Sequence, residues 1–163
     1  MLAVMLLLHI TLAIVINGGA FAIGGVMGAL LSQPKEAALP VLRICARMEN
    51  ILGPAAILVP LFGVGMVFSS NDVYKISQFW AYASLILFVA YAALGVGPAR
   101  VTSNLLIARL EAAPAGSTAA GVAPDLVKRF QLIGIGFLVL NILFVVLMVW
   151  RPGGPGNIND YTG

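Results

Sequence analysis

The sequence predicts an all-α fold, an integral membrane four-helix bundle with both termini outside, on three observations. Only 9% of the 163 residues are charged while 61% are hydrophobic, whereas a soluble domain carries about 25% charged residues. Four uncharged runs, Met1 to Pro34, Asn50 to Asn71, Ile76 to Ala99 and Phe130 to Trp150, are each long enough to cross a bilayer, which takes about 20 apolar residues in a helix. Basic residues fall unequally between the segments that join these runs. Mean hydropathy is +1.03, and with no water in the hydrocarbon core to satisfy backbone groups the runs must be helical. The whole chain, 1–163, reads as a single transmembrane domain with spans at 3–31, 50–70, 77–98 and 128–150.

The first span has no Lys or Arg before Lys35 and exceeds the roughly 7 to 15 apolar residues of a signal peptide, so it is read as retained. It is dense in small residues, with Ala13, Gly18, Gly19, Ala20, Gly24, Gly25 and Gly28. Gly24 and Gly28 form a GxxxG pair, which lets backbones approach where lipid supplies no hydrophobic force for association. Ala13, Asn17, Ala20, Gly24 and Gly28 are the expected packing face, with Asn141 of the fourth span opposite. Asn17 and Asn141 are expected near the midplane, where an unpaired amide is costly, and a bond between them is one expectation.

His9, the single histidine, is an ionisable residue inside a span and so a functional candidate. Two readings stand beside each other. One is a neutral imidazole bonded to another helix, with Tyr82 as the expected partner. The other is functional: a ligand to haem b or to a metal, with Met5 one turn away as a soft co-ligand, or a proton-handling group.

After the break at Gln33-Pro34-Lys35, Pro40 marks a fresh helical start that runs into the second span. Arg43, Arg47, Asn50 and Pro54 share one face, a cytoplasmic polar stripe. It reads either as basic residues meeting lipid phosphates or as a vestibule for an anionic group. Pro54 and Pro60 each remove an intrahelical hydrogen bond and predict kinks. Cys45 stands alone, so no disulfide forms within one chain. It reads as a small apolar residue.

The third span opens with Phe79, Trp80 and Tyr82 and ends at Gly95-Val96-Gly97-Pro98. An amphipathic segment from Arg100 to Leu110 follows. The small, low-complexity stretch 112–124 is expected to be a flexible loop, with Asp125 capping the fourth helix. Beyond Trp150 the Pro- and Gly-rich tail 151–163 is expected to be irregular.

The net charge of +3 reports orientation rather than nucleic-acid binding. Lys35, Arg43, Arg47, Arg100, Arg109, Lys128 and Arg129 flank one side, against Lys75 and Arg151 on the other, which places both longer loops in the cytoplasm and the termini outside. Trp80 and Trp150 fall where amphipathic rings prefer the interface. Inventory excludes several chemistries. One histidine cannot supply a bis-histidine haem, no Cys/His zinc cluster exists, there is no GxxxxGK[ST] loop, and no acidic residue lies within the four runs, which disfavours a carboxylate-based pump. No catalytic residue is assigned.

Leu6-Leu7-Leu8-His9, then Asn17-Gly18-Gly19-Ala20-Phe21, and finally Leu147-Met148-Val149-Trp150-Arg151-Pro152 resemble a family of predicted bacterial four-span integral membrane proteins of unknown function. That family in turn is similar to the copper-resistance D domain and to HemJ-type protoporphyrinogen oxidases. The resemblance implies a histidine near the start of the first span, matched by His9, as a haem ligand; the lysine of the second span has no counterpart here. Three functions follow. They are a non-catalytic subunit or assembly factor within a larger membrane complex, a b-type haem or redox protein using His9, and a small metal or solute permease. Expected partners are the lipid bilayer of a bacterial inner membrane and other membrane subunits, or self-association.

Overall fold

The computed structural model describes residues 1–154. Helix α1 (Leu2–Leu30) is followed by α2 (Lys35–Ala55) and α3 (Leu58–Phe68), then α4 (Phe79–Leu94), a π-helical turn (Gly95–Ala99), α5 (Arg100–Ala112), the short α6 (Ala119–Val122) and α7 (Pro124–Trp150). Four helical stretches are long and apolar enough to cross a membrane: Leu2–Leu30, Lys35–Phe68, Phe79–Ala112 and Pro124–Trp150. The chain is an all-α membrane bundle. The described N-terminus, the 69–78 connection and the end of α7 share one end of it, the terminal end. The 31–34 and 113–118 connections share the other, the loop end.

Both middle stretches depart from regular α-helix where proline interrupts the hydrogen-bond ladder. Pro60 has no N–H for the Ala56 carbonyl, and the chain answers with a tighter turn in which the Val59 N–H donates to Ala56 at 3.1 Å. This local adjustment re-satisfies the freed carbonyl and separates α2 from α3. Pro98 is absorbed differently. One extra residue enters the turn, so that the Arg100 N–H reaches back to the Gly95 carbonyl and the helix continues into α5.

The main core lies at the loop end. Ile23, Met27 and Leu31 from α1 and its end meet Ala38, Leu42 and Cys45 of α2, Leu106 and Leu110 of α5, and Leu126 of α7. Ala119 and Ala123 are fully buried in the same cluster. Within the segment 112–124, read from its composition as a flexible loop, the short α6 forms and Ala119 and Ala123 enter the core. Its small residues let the backbone approach closely. The Lys35 N–H donates to Ser117 at 2.8 Å and the Ala120 N–H to Leu31 at 3.0 Å. The Lys35 ammonium donates to the Ala113 carbonyl, and the Gly116 N–H to the Glu36 carboxylate at 3.1 Å. That donor and Glu36's own N–H hold the carboxyl below its usual range, because hydrogen bonding to the charged form favours it.

Two ion pairs tie the same end together, Arg43 to Glu111 at 2.6 Å and Arg109 to Asp125 at 2.8 Å. Asp125 does not cap α7. The helix begins at Pro124, with Ala123 in the cap position, and proline suits a first turn because its missing N–H would have no partner there.

At the terminal end a smaller cluster forms around Met66, Trp80 and Ala81, joined by Leu2, Met5, Leu6, Tyr74 and Met148. Arg151 ends α7 in the left-handed region, φ 48°. Its guanidinium donates to the Tyr74 hydroxyl at 3.2 Å and lies 5.5 Å from that ring's centre. Of the predicted tail 151–163, residues 155–163 lie outside the described residues. Elsewhere large apolar side chains, among them Ile51, Ile57, Ile86 and Val89, face outward, where lipid tails cover them.

Candidate functional site

Helix α1 packs chiefly on α2 and α3, and α7 on α4, α5 and α6, while α1 and α7 touch little. Two hollows result toward the terminal end. The smaller, about 140 Å³, lies among α1, α3 and α4, with Val59, Gly63, Ser84, Phe88 and Tyr91 in its wall. The larger, about 650 Å³, is a groove between α1 and α7 lined by Ile10, Phe21, Leu138, Ile142, Val145 and other apolar side chains. His9, Ala13 and Asn17 belong to both walls.

His9 Nδ1 bonds the Val59 carbonyl of α3 at 2.8 Å. A carbonyl only accepts, so Nδ1 carries the proton, and in the neutral ring Nε2 is left as an acceptor. Gly63 makes this approach feasible. A Cβ there would stand 3.0 Å from His9 Cε1 and 3.1 Å from Nδ1. Tyr82, expected as the partner, is instead 42% exposed and stacks edge-on against Phe79 at 5.4 Å between ring centres. Val59 and Gly63 are the site residues the sequence did not single out.

Met5 sits one turn from His9, its sulfur 3.4 Å from where a Gly65 Cβ would be, and it lines neither hollow. Met66 and Met148 line both together with His9. Among the described residues no group of three or more His, Cys, Asp or Glu is placed to hold a metal.

The expected packing face of α1 divides. Ala13 and Asn17 reach the hollows, whereas Ala20, Gly24 and Gly28 are exposed, and a Cβ on Gly24 or Gly28 would meet nothing within 4 Å. Within the chain α1 packs instead through Ile16, Ile23 and Met27, which are buried, and through Gly19, where a Cβ would stand 3.2 Å from Leu52. Asn17 and Asn141 do not bond each other. Each donates to its own helix, Asn17 to Ala13 at 2.8 Å and Asn141 to Phe137 at 2.9 Å. Both residues line the groove.

Arg43, Arg47, Asn50 and Pro54 are all exposed. Arg43 is engaged by Glu111, and the stripe borders neither hollow.

No curated protein and no solved structure matched this chain. Residues 3–152 match a family model described as "Predicted integral membrane protein (DUF2269)". That match spans all four membrane-long helical stretches, and the chain belongs to this family.

Proposed function

We propose that this protein is a non-catalytic subunit or assembly factor that receives a transmembrane helix of another membrane protein in the groove between α1 and α7. One observation carries the reading. The face of α1 that bears Gly24 and Gly28 is left open by the chain's own helices, and at 100° per residue it continues the face that Ile10, Asn17 and Phe21 present to the groove. In lipid, helices associate through close backbone approach and interhelical hydrogen bonds. The open glycines supply the first and the amides of Asn17 and Asn141 the second. We place the loop end in the cytoplasm of a bacterial inner membrane, on the basic asymmetry of the sequence.

A photo-crosslinking residue at Gly24 tests this, with one at Ile57 as control, since Ile57 is 63% exposed and lines neither hollow. A discrete adduct with one other membrane protein is expected from Gly24 alone. An adduct with a second copy would mean self-association, and a free monomer from both positions would defeat the reading.

A b-haem function is the second reading, favoured by the His9–Val59 bond. A ligating histidine characteristically donates its other ring N–H to a carbonyl or carboxylate. Here that bond leaves Nε2 as the candidate ligand atom and Met66 or Met148 as thioether partners. Bound haem would supply one-electron chemistry, and the chain's own part would be to fix the imidazole tautomer and exclude water.

A further inference from the structure

Arg151 lines the groove between α1 and α7 and is the one charged residue in its wall. Its guanidinium is held in place. Nε donates to the Met148 carbonyl at 3.2 Å, a terminal nitrogen donates to the Tyr74 hydroxyl at 3.2 Å, and the Tyr74 ring centre lies 5.5 Å away. The remaining N–H donors of the fork have no partner, and no carboxylate pairs with Arg151, among the described residues. A guanidinium fixed in this way is preformed to receive an anionic oxygen group.

The rest of the groove runs from this charge into the membrane. Leu6 and Arg151 stand at the terminal end, Phe21 and Leu138 at the far end. From Leu138 to Arg151 helix α7 covers about 20 Å at the rise of an α-helix. One leaflet of the hydrocarbon core is about 15 Å deep, half of the whole, so the groove spans one leaflet and ends in a positive charge at its surface. The wall is apolar apart from His9, Asn17, Asn141 and Arg151, and both asparagines donate to their own helices. Ile10, Ile14 and Val145 in it are exposed, which leaves the groove open sideways to lipid. Its volume, about 650 Å³, falls within the roughly 300 to 1,000 Å³ of small-ligand clefts, which pair apolar walls with a few polar groups.

We propose that the groove binds one anionic phospholipid, with an acyl chain along α1 and α7 and the phosphate on Arg151. The headgroup is anionic rather than zwitterionic because a choline would set a second cation beside the wall's only charge. A partner helix received in the groove displaces this lipid, a step that rests on the subunit reading. The lipid site itself belongs to the isolated chain.

The test is native mass spectrometry of the full chain in mild detergent, with phosphatidylglycerol or phosphatidylcholine of the same acyl chains added in turn. One phosphatidylglycerol per chain is expected to be retained, about tenfold more tightly than phosphatidylcholine. Arg151→Gln is expected to remove that preference. Gly18→Leu is expected to remove retention with Arg151 intact. Gly18 lines the groove, and a Cβ there meets nothing within 4 Å, so leucine fills the groove without displacing the chain's own atoms. Equal retention of both lipids by the wild type would overturn the site, and this comparison holds even if Arg151→Gln fails to fold. Retention that survives Gly18→Leu would put the lipid on the rim and overturn it too, as would a dimer of the chain that excludes lipid. Neither result touches the photo-crosslink at Gly24, and loss of that crosslink leaves lipid retention as it is, so the two readings fail separately.

Discussion

The imidazole of His9 lies so close to the backbone of Gly63 that a Cβ there would stand 3.0 Å from its Cε1. The ring cannot retreat freely, because Nδ1 is held by the Val59 carbonyl at 2.8 Å. Gly63→Ala therefore asks for a few tenths of an ångström from a restrained group, and Gly63→Val for more. The expected loss is about 1 kcal/mol for alanine and up to about 3 kcal/mol for valine, read as thermal unfolding in detergent. In a His9→Ala background the cost of Gly63→Ala is expected to shrink, since residues in contact are not additive. Equal cost in both backgrounds would deny the contact.

The same contact separates the two functional readings. A subunit needs His9 only as a hydrogen-bond donor, so the purified chain is expected to show no Soret band and to accompany another membrane protein. A Soret band that disappears in His9→Ala would put the haem reading first.

Most of the fold was legible because membrane helices announce themselves by length and lack of charge, which needs no knowledge of contacts. What the sequence hid depends on which helices face each other. The Val59 carbonyl has no side-chain signature, so Tyr82 looked the better partner for His9 by depth alone. Ala119 and Ala123 looked like linker because small residues lack bulk, although bulk is not required where a backbone must come close.

Glu36 and Gly116 make a latch whose sign with pH follows from the carboxyl. The N–H bonds of Glu36 and Gly116 lower its folded value below the unfolded one, so the latch is fully present above the usual glutamate range. It is lost as pH falls through the lowered value. Amide protection at Gly116, corrected for intrinsic exchange, is expected to fall over that window in the wild type and to be low throughout in Glu36→Gln. A pH-independent protection in the wild type would show that the loop is held by other bonds. Gly116→Ala is expected to cost about 1 kcal/mol, because φ is +77° there.

Orientation can be read with thiol probes once Cys45 is replaced. With Cys45→Ala in place, an impermeant reagent applied outside is expected to label a cysteine at Gly153 and not one at Ser117. The reason is the seven-to-two excess of Lys and Arg around the loop end, which holds short loops in the cytoplasm. The reverse pattern would invert the placement of the groove's mouth and of Arg151.

The sharpest test of the subunit reading compares two glycines on one helix. A side chain at Gly24 meets open space within the chain, whereas one at Gly19 would strike Leu52 at 3.2 Å. If the open face of α1 serves a partner, Gly24→Leu leaves the unfolding temperature of the isolated chain within about 1 °C, because nothing internal is displaced. It should nonetheless lose the associated protein, since leucine holds two backbones apart where glycine lets them touch. Gly19→Leu has the opposite expectation, a fall of several degrees from overpacking against α2. The pair thus distinguishes a surface kept small for another protein from one kept small for this chain. If Gly24→Leu destabilises the isolated chain as Gly19→Leu does, α1 packs differently from the arrangement described. If it changes neither stability nor association, the open glycines face only lipid and the groove has no helical partner.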